Sequence, residues 1–382
     1  MVLLNERPKK GFYIYTCYEG QSLGVQNKMQ AQVDCFIENG IECTLLPVIK
    51  KTSPKDKVLF RLPWGSDNVN WPNPEMFSEC DYLYFRRNMF TSRFSEYLSS
   101  IRRINPNIKI FIEIPTYPYD KELLQNQFFS NVPLLIKDMV GRRKLKNYID
   151  FFVVIGRVGR TLWGTPVIKM YNGVKLENFE VRLPSNETKS INILMVANFA
   201  RYHGADIFIR GLAQYYKTGG KRDVQLYLVG PIDNLREELQ LVENNAEHVK
   251  RHVNVLGIKK GEELRRLYNF CDAGIVSLGY HRLGLTYNTT IKSKEYLAVG
   301  MPIICDTLVD ILEDEKCGYV HYTEYGEKST NISKIIEFYD KIYPNGKLEE
   351  KRKVAQEIRE KYSNRINYDE TMQEIIERIK GE

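Results

Sequence analysis

Residues 278–304, LGYHRLGLTYNTTIKSKEYLAVGMPII, connect two apolar runs through a glycine-containing loop and a helical segment. Ala273–Leu278 and Met301–Cys305 predict buried strands. Lys292–Ala298 predicts a helix between them, which ends at Gly300 before Pro302. A strand, a helix and a strand in this order form the repeating unit of a parallel sheet covered by helices, so the stretch predicts an α/β fold.

The same alternation occurs in both halves of the chain. Further strands are predicted at Gly11–Cys17, Ile41–Val48, Asp81–Phe85, Ile108–Ile114, Asp150–Ile155, Ile191–Ala197, Val224–Val229 and Val253–Leu256. The pattern predicts two Rossmann-like, doubly wound domains that face each other across a cleft, with ligands at the carboxyl ends of the strands. We expect an N-terminal domain over residues 1–174, a linker over 175–189, a second domain over 190–346, and C-terminal helices over 347–382 that pack back across the domains.

Composition indicates an ordinary globular protein that acts in the cytoplasm. Of the 382 residues, 43% are hydrophobic and 27% charged, which is close to the average and excludes disordered and fibrous classes. The seven cysteines are scattered without C-x-x-C spacing, as expected in a reducing compartment. Neither an export signal nor an apolar segment of about 20 residues is apparent, which argues against a periplasmic binding protein and a membrane span.

The net charge of +7 favours an anionic partner, but most basic residues are dispersed, so no nucleic acid is expected. One cluster of basic side chains follows an apolar run, namely Arg142, Arg143, Lys144 and Lys146 after Val132, Leu134, Leu135 and Ile136. Two interpretations fit it. It is either an amphipathic segment that binds the inner face of a membrane or a solvated helix face.

Lys292 and Glu295 lie one turn apart on the predicted helix that follows the Gly284, Leu285 and Thr286 turn. Backbone N–H groups at such a loop and helix start suit a diphosphate, because they are unpaired donors at the positive end of the helix dipole. Lys292 can add a full charge to a leaving diphosphate, and Glu295 can accept both hydroxyls of a ribose. The alternative is a surface ion pair on an ordinary helix.

Residues 285–304 resemble the signature region of family 4 glycosyltransferases, which have the GT-B fold, and especially their capsule and exopolysaccharide type. Glu295 matches the glutamate that binds the donor ribose, Gly300 and Pro302 match the residues that follow, and Lys292 matches the base that faces the phosphates. Residues 171–174 (YNGV) and 191–204 (INILMVANFARYHG) resemble the end of the first domain and the start of the second. The resemblance is diffuse in the first half but extends over most of the chain.

Three positions depart from the family pattern. Asn198 and His203 stand where an arginine and a lysine commonly contact the diphosphate. A second acidic residue, eight positions before the ribose ligand, is replaced by Tyr287 or, with a longer loop, by His281. The resemblance therefore implies that Lys292, Arg282 or Arg201 carries more of the phosphate charge, with His203 as a further donor and His281 as a catalytic candidate.

Two features of the first half are candidates for the acceptor side. Residues 20–24 (GQSLG) stand where the family has a glycine-rich loop, which makes Gly24 a candidate ligand, although so short a Gly-x-x-x-Gly pattern more often forms a plain turn. Glu113 and Asp120, at the end of a predicted strand, can orient or deprotonate an acceptor hydroxyl. The tyrosines and prolines between them also suit a rigid loop.

The resemblance implies transfer of a sugar from a nucleoside diphosphate sugar, of UDP or GDP type, to a hydroxyl of a glycan or of a lipid-linked or protein-linked glycan. It also implies retention of the anomeric configuration. The chain has no D-x-D triplet, so neither a metal-bound diphosphate nor another cofactor is expected. The alternatives are a sugar-nucleotide epimerase of the same fold and a non-catalytic, donor-binding subunit.

Overall fold

The computed structural model describes two compact units within residues 7–17, 23–51, 53–62, 67, 69–120, 128–187, 189–235, 238, 240–242, 247–312 and 317–382. The first unit comprises Met1–Asn172 together with Tyr368–Glu382, and the second comprises Gly173–Asn367. The chain thus returns to its first unit for its last 15 residues, 368–382.

The first unit contains a seven-stranded sheet with the order β2-β1-β3-β4-β5-β7-β6. Its strands are β1 (Lys10–Cys17), β2 (Glu42–Ile49), β3 (Tyr82–Arg86), β4 (Lys109–Tyr117), β5 (Phe151–Gly156), β6 (Thr161–Leu162) and β7 (Thr165–Met170). All pairings are parallel except that of β6 with β7. The nearly continuous apolar runs of β3 to β5 follow from this topology, since helices cover both faces of a parallel sheet.

Helices on the two faces of this sheet create two apolar cores. The helices of this unit are α1 (Leu23–Glu38), α2 (Pro54–Arg61), α3 (Ser92–Ile104), α4 (Phe128–Leu145) and α11 (Tyr368–Lys380). One core joins the sheet to α3 and includes Phe94 and Ile101. The other joins it to α1 and α11, in which Met372 and Ile375 are fully buried.

The second unit contains a six-stranded parallel sheet with the order β10-β9-β8-β11-β13-β15. These strands are β8 (Ile191–Val196), β9 (Val224–Val229), β10 (Val253–Gly257), β11 (Ala273–Ser277), β13 (Ile303–Cys305) and β15 (Val320–Tyr322). A small parallel pair is added by β12 (Tyr287–Asn288) and β14 (Leu308–Val309). Numbered within the main sheet, the order is 3-2-1-4-5-6, that of the Rossmann fold, and its direction of winding reverses between β8 and β11.

The helices of this unit are α5 (Ala205–Lys217), α6 (Glu247–Lys250), α7 (Gly261–Phe270), α8 (Ile291–Ala298), α9 (Ile332–Ile342) and α10 (Leu348–Ile366). A buried ion pair holds α10 in place, with Lys351 Nζ 2.8 Å from Asp272 Oδ1. The segment before β8, predicted as a linker, packs onto this unit. Within it, buried Arg182 donates to the carbonyl oxygens of Gly300 and Cys271.

The structure confirms the predicted α/β class with parallel sheets. Every strand predicted above overlaps an observed strand, and their bounds differ by up to three residues. Two strands of three or more residues were not predicted, namely β7, whose apolar run is interrupted by Pro166 and Lys169, and the three-residue β15. In the part of the chain that the structure describes, no helix is both long and apolar enough to span a membrane.

Candidate functional site

The loops after β8 and β11 of the second unit meet where the winding of the sheet reverses, which is the ligand-binding position of doubly wound sheets. Their backbones are in direct contact. The N–H of Leu278 donates to the carbonyl of His203 at 3.0 Å, and Ser277 Oγ donates to the carbonyl of Tyr202 at 2.7 Å. The 3₁₀ turn over residues 201–203 is thereby fixed against the end of β11.

Glycine allows this close approach. Gly204 has φ of +73°, and a Cβ there would lie 2.7 Å from the carbonyl carbon of Leu278. A Cβ on Gly279 would lie 2.8 Å from the carbonyl oxygen of Arg201. Larger residues at either position would separate the two loops, because neither backbone atom can move away as a flexible side chain can.

Helix α8 follows these loops, and two polar side chains orient it. Tyr296 Oη accepts a hydrogen bond from the N–H of Val196 at the end of β8, at 3.1 Å. Before the helix, buried Asn288 accepts from the N–H and the hydroxyl of Thr290 at 3.0 and 2.8 Å. No side chain in the described structure caps the first turn of α8, so its N–H groups keep their donor capacity toward this end of the sheet.

Lys292 and Glu295 occupy adjacent turns of α8 and are both half-buried. Lys292 Nζ donates to the carbonyl of Val276 in β11 at 3.0 Å. Burial lowers the pKa of Lys292 to about 7, and the charge of Glu295 opposes that shift. Burial likewise raises the pKa of Glu295, opposed by Lys292. A lysine whose charge burial disfavours is well suited to an incoming anion, which would restore that charge.

His203 is buried beside this pair. Burial, and then the charge of Lys292, lower the pKa of His203 to about 2, so its ring is neutral at physiological pH. Its Nδ1 has no hydrogen-bond partner in the described structure, and neither does Nδ2 of Asn288. A buried polar atom without a partner costs free energy, which a bound ligand with a matching group can recover.

The Gly284, Leu285 and Thr286 turn, predicted as part of a phosphate cradle, uses backbone donors within its own loop. The N–H groups of Gly284 and Leu285 donate to the carbonyls of His281 and Tyr280 at 2.8 and 3.1 Å. Gly284 takes φ of +65° to close the turn, and Thr286 is exposed. Two of the three backbone donors are thus engaged within the loop, which leaves the start of α8 as the better backbone donor site.

Arg282 and His281 belong to an ion-pair network. Arg282 donates to Asp206 at 2.8 Å, to Glu327 at 2.6 Å and to the carbonyl of Arg201 at 2.6 Å. His281 Nε2 lies 2.9 Å from Glu327. The phosphate role that the sequence suggested for Arg282 does not fit these contacts, because its guanidinium is already neutralised.

Asn198 is exposed in the loop after β8. Its Oδ1 accepts from the N–H of Ala200 at 3.3 Å, an arrangement that turns the backbone. The asparagine therefore shapes the loop that carries His203. A charged diphosphate contact, which an arginine makes in the common family pattern, is not available from its neutral side chain.

Glu113 is fully buried in the first unit. It accepts from Lys28 Nζ at 2.9 Å, Tyr84 Oη at 2.8 Å and Gln32 Nε2 at 3.0 Å, and it pairs with Arg86. Burial alone would raise the pKa of Glu113, but the charges of Arg86 and Lys28 lower it to about 2. This environment argues against the predicted catalytic role, because a carboxylate so saturated and so weakly basic is a poor proton acceptor.

Two further predictions concern this unit. Residues 20–22 of the glycine-rich loop lie outside the described residues, whereas Gly24 lies in the first turn of α1, where a Cβ would meet no atom within 4 Å.

Arg142 is held at 3.0 Å from Asp120 and 3.4 Å from Asp138, above the ring of Trp163. It is therefore part of the fold, unlike exposed Arg143, Lys144 and Lys146.

Of the residues predicted for the second domain, the structure brings Lys292, Glu295 and His203 together. Sequence reasoning missed Asn288 and Tyr296 as supports of α8. The Asn-Thr-Thr pattern before a helix was the available signal for Asn288, since such residues satisfy helix N-termini. In the described part of the chain, no group of three or more His, Cys, Asp or Glu side chains is arranged to hold a metal ion.

One known family is similar to the second unit in sequence. Residues 190–339 match the family described as "Glycosyl transferases group 1", and this range contains both loops and α8. No curated protein is a significant match to the sequence.

Solved structures of similar fold cover nearly the whole chain. A glycosyltransferase from Rickettsia africae ESF-5 superposes with a TM-score of 0.63 at 13% identity, over 97% of this chain and 98% of the other. The lipopolysaccharide outer core galactosyltransferase WaaB, in its apo form, gives 0.57 at 12% identity, over 97% and 99%. An α-glucosyltransferase in complex with UDP and DNA gives 0.59 at 13% identity, over 97% and 99%.

At these identities the structural likeness establishes the fold, which is the mixed α/β fold of GT-B glycosyltransferases. The family match lies within the unit that carries the candidate site. Residues 190–339 are therefore similar to the glycosyl transferases group 1 family, within a chain that has the GT-B fold, and these two findings support a glycosyltransferase.

Proposed function

We propose that the protein transfers a sugar from a nucleoside diphosphate sugar to a hydroxyl of a glycan or of a lipid-linked or protein-linked glycan. The observation that carries the proposal is the placement of Lys292 and Glu295 on one helix, beside the paired loops at the reversal of the second sheet. A diphosphate in this position would meet the start of α8 and the Lys292 ammonium group, and a ribose would meet the carboxylate.

In the proposed mechanism, protein charge stabilises the leaving group. The bond between the anomeric carbon and the diphosphate oxygen breaks, and negative charge develops on that oxygen. Over the whole reaction the acceptor hydroxyl oxygen becomes bonded to the anomeric carbon, and the hydroxyl proton passes to the departing nucleoside diphosphate or to solvent. Lys292 in its protonated form, the N–H groups of α8 and neutral His203 would stabilise this charge. These groups would stabilise the charge of the departing diphosphate, so the reaction is proposed to proceed with no metal ion. The resemblance to family 4 favours retention of configuration at the anomeric carbon.

UDP is the preferred candidate for the nucleotide, since the α-glucosyltransferase of similar fold was solved with UDP. Surface polysaccharide or glycoconjugate synthesis is the proposed setting. It rests on the capsule-type resemblance of residues 285–304. The seven cysteines carry free thiols, which fits action in the reducing cytoplasm.

The experiment combines the purified protein with a panel of UDP-sugars and GDP-sugars, with and without hydroxyl acceptors, and follows release of the free nucleoside diphosphate. Release that depends on the acceptor and persists in EDTA supports the proposal. Formation of an epimer without acceptor would identify an epimerase, and tight donor binding without turnover would identify a non-catalytic subunit. Either result overturns the proposal.

The Lys292→Ala variant connects the activity to the site. We expect it to reduce kcat by about 100-fold or more, as removal of a group that stabilises transition-state charge does. Lys334→Ala, on the exposed face of α9, is the matched control and should leave kcat unchanged. Equal activity of both variants and the wild type would disprove the role of Lys292.

A further inference from the structure

Helices α2 and α4 of the first unit pack against each other. Lys137 of α4 is buried between them, donates to the carbonyl of Phe60 at 2.9 Å, and lies 4.9 Å above the ring of Phe60. The two helices therefore present a joint outer face whose geometry is fixed by this contact.

That outer face carries exposed apolar side chains. Ile136, Met139 and Val140 are 48%, 38% and 48% exposed and follow the i, i+3, i+4 spacing of one helix face. Val58 on α2 and Leu62 just after it are 63% and 39% exposed. Single exposed apolar residues are common, but five on two neighbouring helices indicate a surface that a partner covers.

The exposed charges described on these two helices are all positive. They are Lys55 and Arg61 on α2 and Arg143 and Lys144 on α4, with Lys146 just beyond. The acidic side chains are engaged within the fold. Asp56 is half-buried and accepts from Ser53 Oγ at 2.6 Å. Asp138 is buried and accepts from the N–H of Phe90 at 2.6 Å and from Tyr119 Oη at 2.9 Å.

We propose that this two-helix surface binds the anionic face of a lipid bilayer. It is defined by Val58, Leu62, Ile136, Met139 and Val140 with the cations Lys55, Arg143, Lys144 and Lys146. On the described residues of these two helices, exposed aliphatic side chains lie beside exposed cations, which matches an interface that is negatively charged outside and apolar a few ångströms below. A surface for single-stranded nucleic acid would instead present aromatic side chains on which bases stack, whereas the exposed apolar side chains described on these two helices are aliphatic.

The structure also changes which residues form this surface, compared with the sequence prediction. Arg142 is engaged with Asp120, Asp138 and Trp163, and Val132 and Leu134 are half-buried. Ile136 of the predicted set stays on the surface, and Met139 and Val140 of α4 with Val58 and Leu62 take the place of Val132 and Leu134. This surface would give the proposed transferase access to a lipid-linked acceptor. Only that purpose rests on the proposed function, whereas binding to the bilayer does not.

The test is co-sedimentation of the full chain with phosphatidylcholine vesicles, with and without phosphatidylglycerol, in the absence of nucleotide and acceptor. We expect binding to the anionic vesicles that weakens as salt is raised, and little binding to the neutral ones. Arg143→Gln with Lys144→Gln should lower the partition coefficient about 30-fold, given the contribution of each cation near an anionic surface. Ile136→Ser with Met139→Ser and Val140→Ser should lower it as well.

Matched controls lie in the second unit. Lys334→Gln with Lys341→Gln removes two exposed cations, and Ile232→Ser with Ile258→Ser removes two exposed apolar side chains. Both control variants should bind vesicles like the wild type. Lys292→Ala should also bind vesicles like the wild type, and its loss of sugar transfer tests the proposed function separately.

The inference is overturned if anionic vesicles do not bind the protein, or if the surface variants bind them as well as the controls do. It is also overturned if the wild type self-associates in sedimentation velocity and the triple serine variant abolishes this, since the surface would then join two copies of the chain.

Discussion

Lys292 shows how the position of a single side chain determines its chemistry. The sequence gives a lysine one turn before a glutamate, which on a solvated helix is an ordinary ion pair. In the structure its amino group is directed to the carbonyl of Val276 in β11, and burial lowers its pKa to about 7. The residue therefore changes its charge within the physiological range and responds to whatever binds beside it.

Donor binding should couple to protonation of Lys292. At pH 8 the free enzyme holds this amine mostly neutral, and a bound diphosphate raises its pKa, so UDP binding should take up close to one proton. Calorimetric titration in buffers of different ionisation enthalpy measures that uptake. Lys292→Met should show almost none, and an equal uptake by the variant would assign the proton to another group.

The lowered pKa of Lys292 also predicts that the stability of a Lys292→Met variant, relative to the wild type, depends on pH. Because the folded pKa of Lys292 lies below its unfolded value, the unfolded chain binds more protons, and the lysine destabilises the fold most below pH 7. Lys292→Met should therefore raise the thermal midpoint at pH 6. The gain should shrink between about pH 7 and pH 10 as the unfolded-state lysine also loses its proton. A pH-independent gain would indicate a packing effect.

Glu295 is predicted to bind the ribose, and a nucleotide analogue tests this directly. Glu295→Gln should weaken UDP binding by about 10- to 150-fold, the range for loss of hydrogen bonds to a charged acceptor. The variant should discriminate poorly between UDP and 2′-deoxy-UDP, whereas the wild type should prefer UDP. If wild type and variant prefer UDP equally, the carboxylate does not contact the 2′-hydroxyl.

At the scale of elements, the 3₁₀ turn over residues 280–283 is held by charge. Arg282 connects it to the carbonyl of Arg201 in the preceding loop, to Asp206 at the start of α5 and to Glu327. Hydrogen bonds from Arg282 and His281 lower the pKa of Glu327, so the network stays ionised well into the acid range. We infer that Arg282 is a positioning residue for the loops that lead to His203 and α8.

Removal of Arg282 should loosen this loop without touching the reacting atoms. Arg282→Ala should raise the KM for the donor about tenfold, with a smaller effect on kcat, because the loops must be ordered on binding at an entropic cost. Arg210→Ala is the control. Arg210 also pairs with Asp206 and Glu327, but no hydrogen bond in the described structure joins it to Arg201. Equal KM values in the two variants would exclude this role.

At the scale of the whole molecule, the last helix belongs to the first unit. Met372, Ile375, Ile376 and Ile379 of α11 are buried with residues of α1 and the first sheet. The preceding helix, α10, is held in the second unit by Lys351 and Asp272. Each unit is therefore completed by residues from the C-terminal part of the chain.

A substitution in the core-facing side of α11 should lower the stability of the first unit. Met372→Ala should lower the stability of that unit by about 2–5 kcal/mol, the usual loss for a fully buried methionine. Hydrogen exchange should show faster opening of α1 and β1, with β8 and β9 unchanged. Glu374→Ala, an exposed position of the same helix, should have no such effect. Loss of protection in both sheets would show that the two units unfold together.

The sequence by itself determined the α/β class and the order of most strands, because apolar runs and glycine-terminated helices depend on local periodicity. It also singled out Lys292 and Glu295, whose spacing places both on one side of a helix. Tertiary structure decided their environment, since the pKa of Lys292 depends on burial against β11. It likewise decided that Glu113 and Arg282 are engaged in ion pairs, because their partners lie 27 to 85 positions away in sequence. Burial and long-range charge arise only when distant segments meet, and no local pattern encodes them.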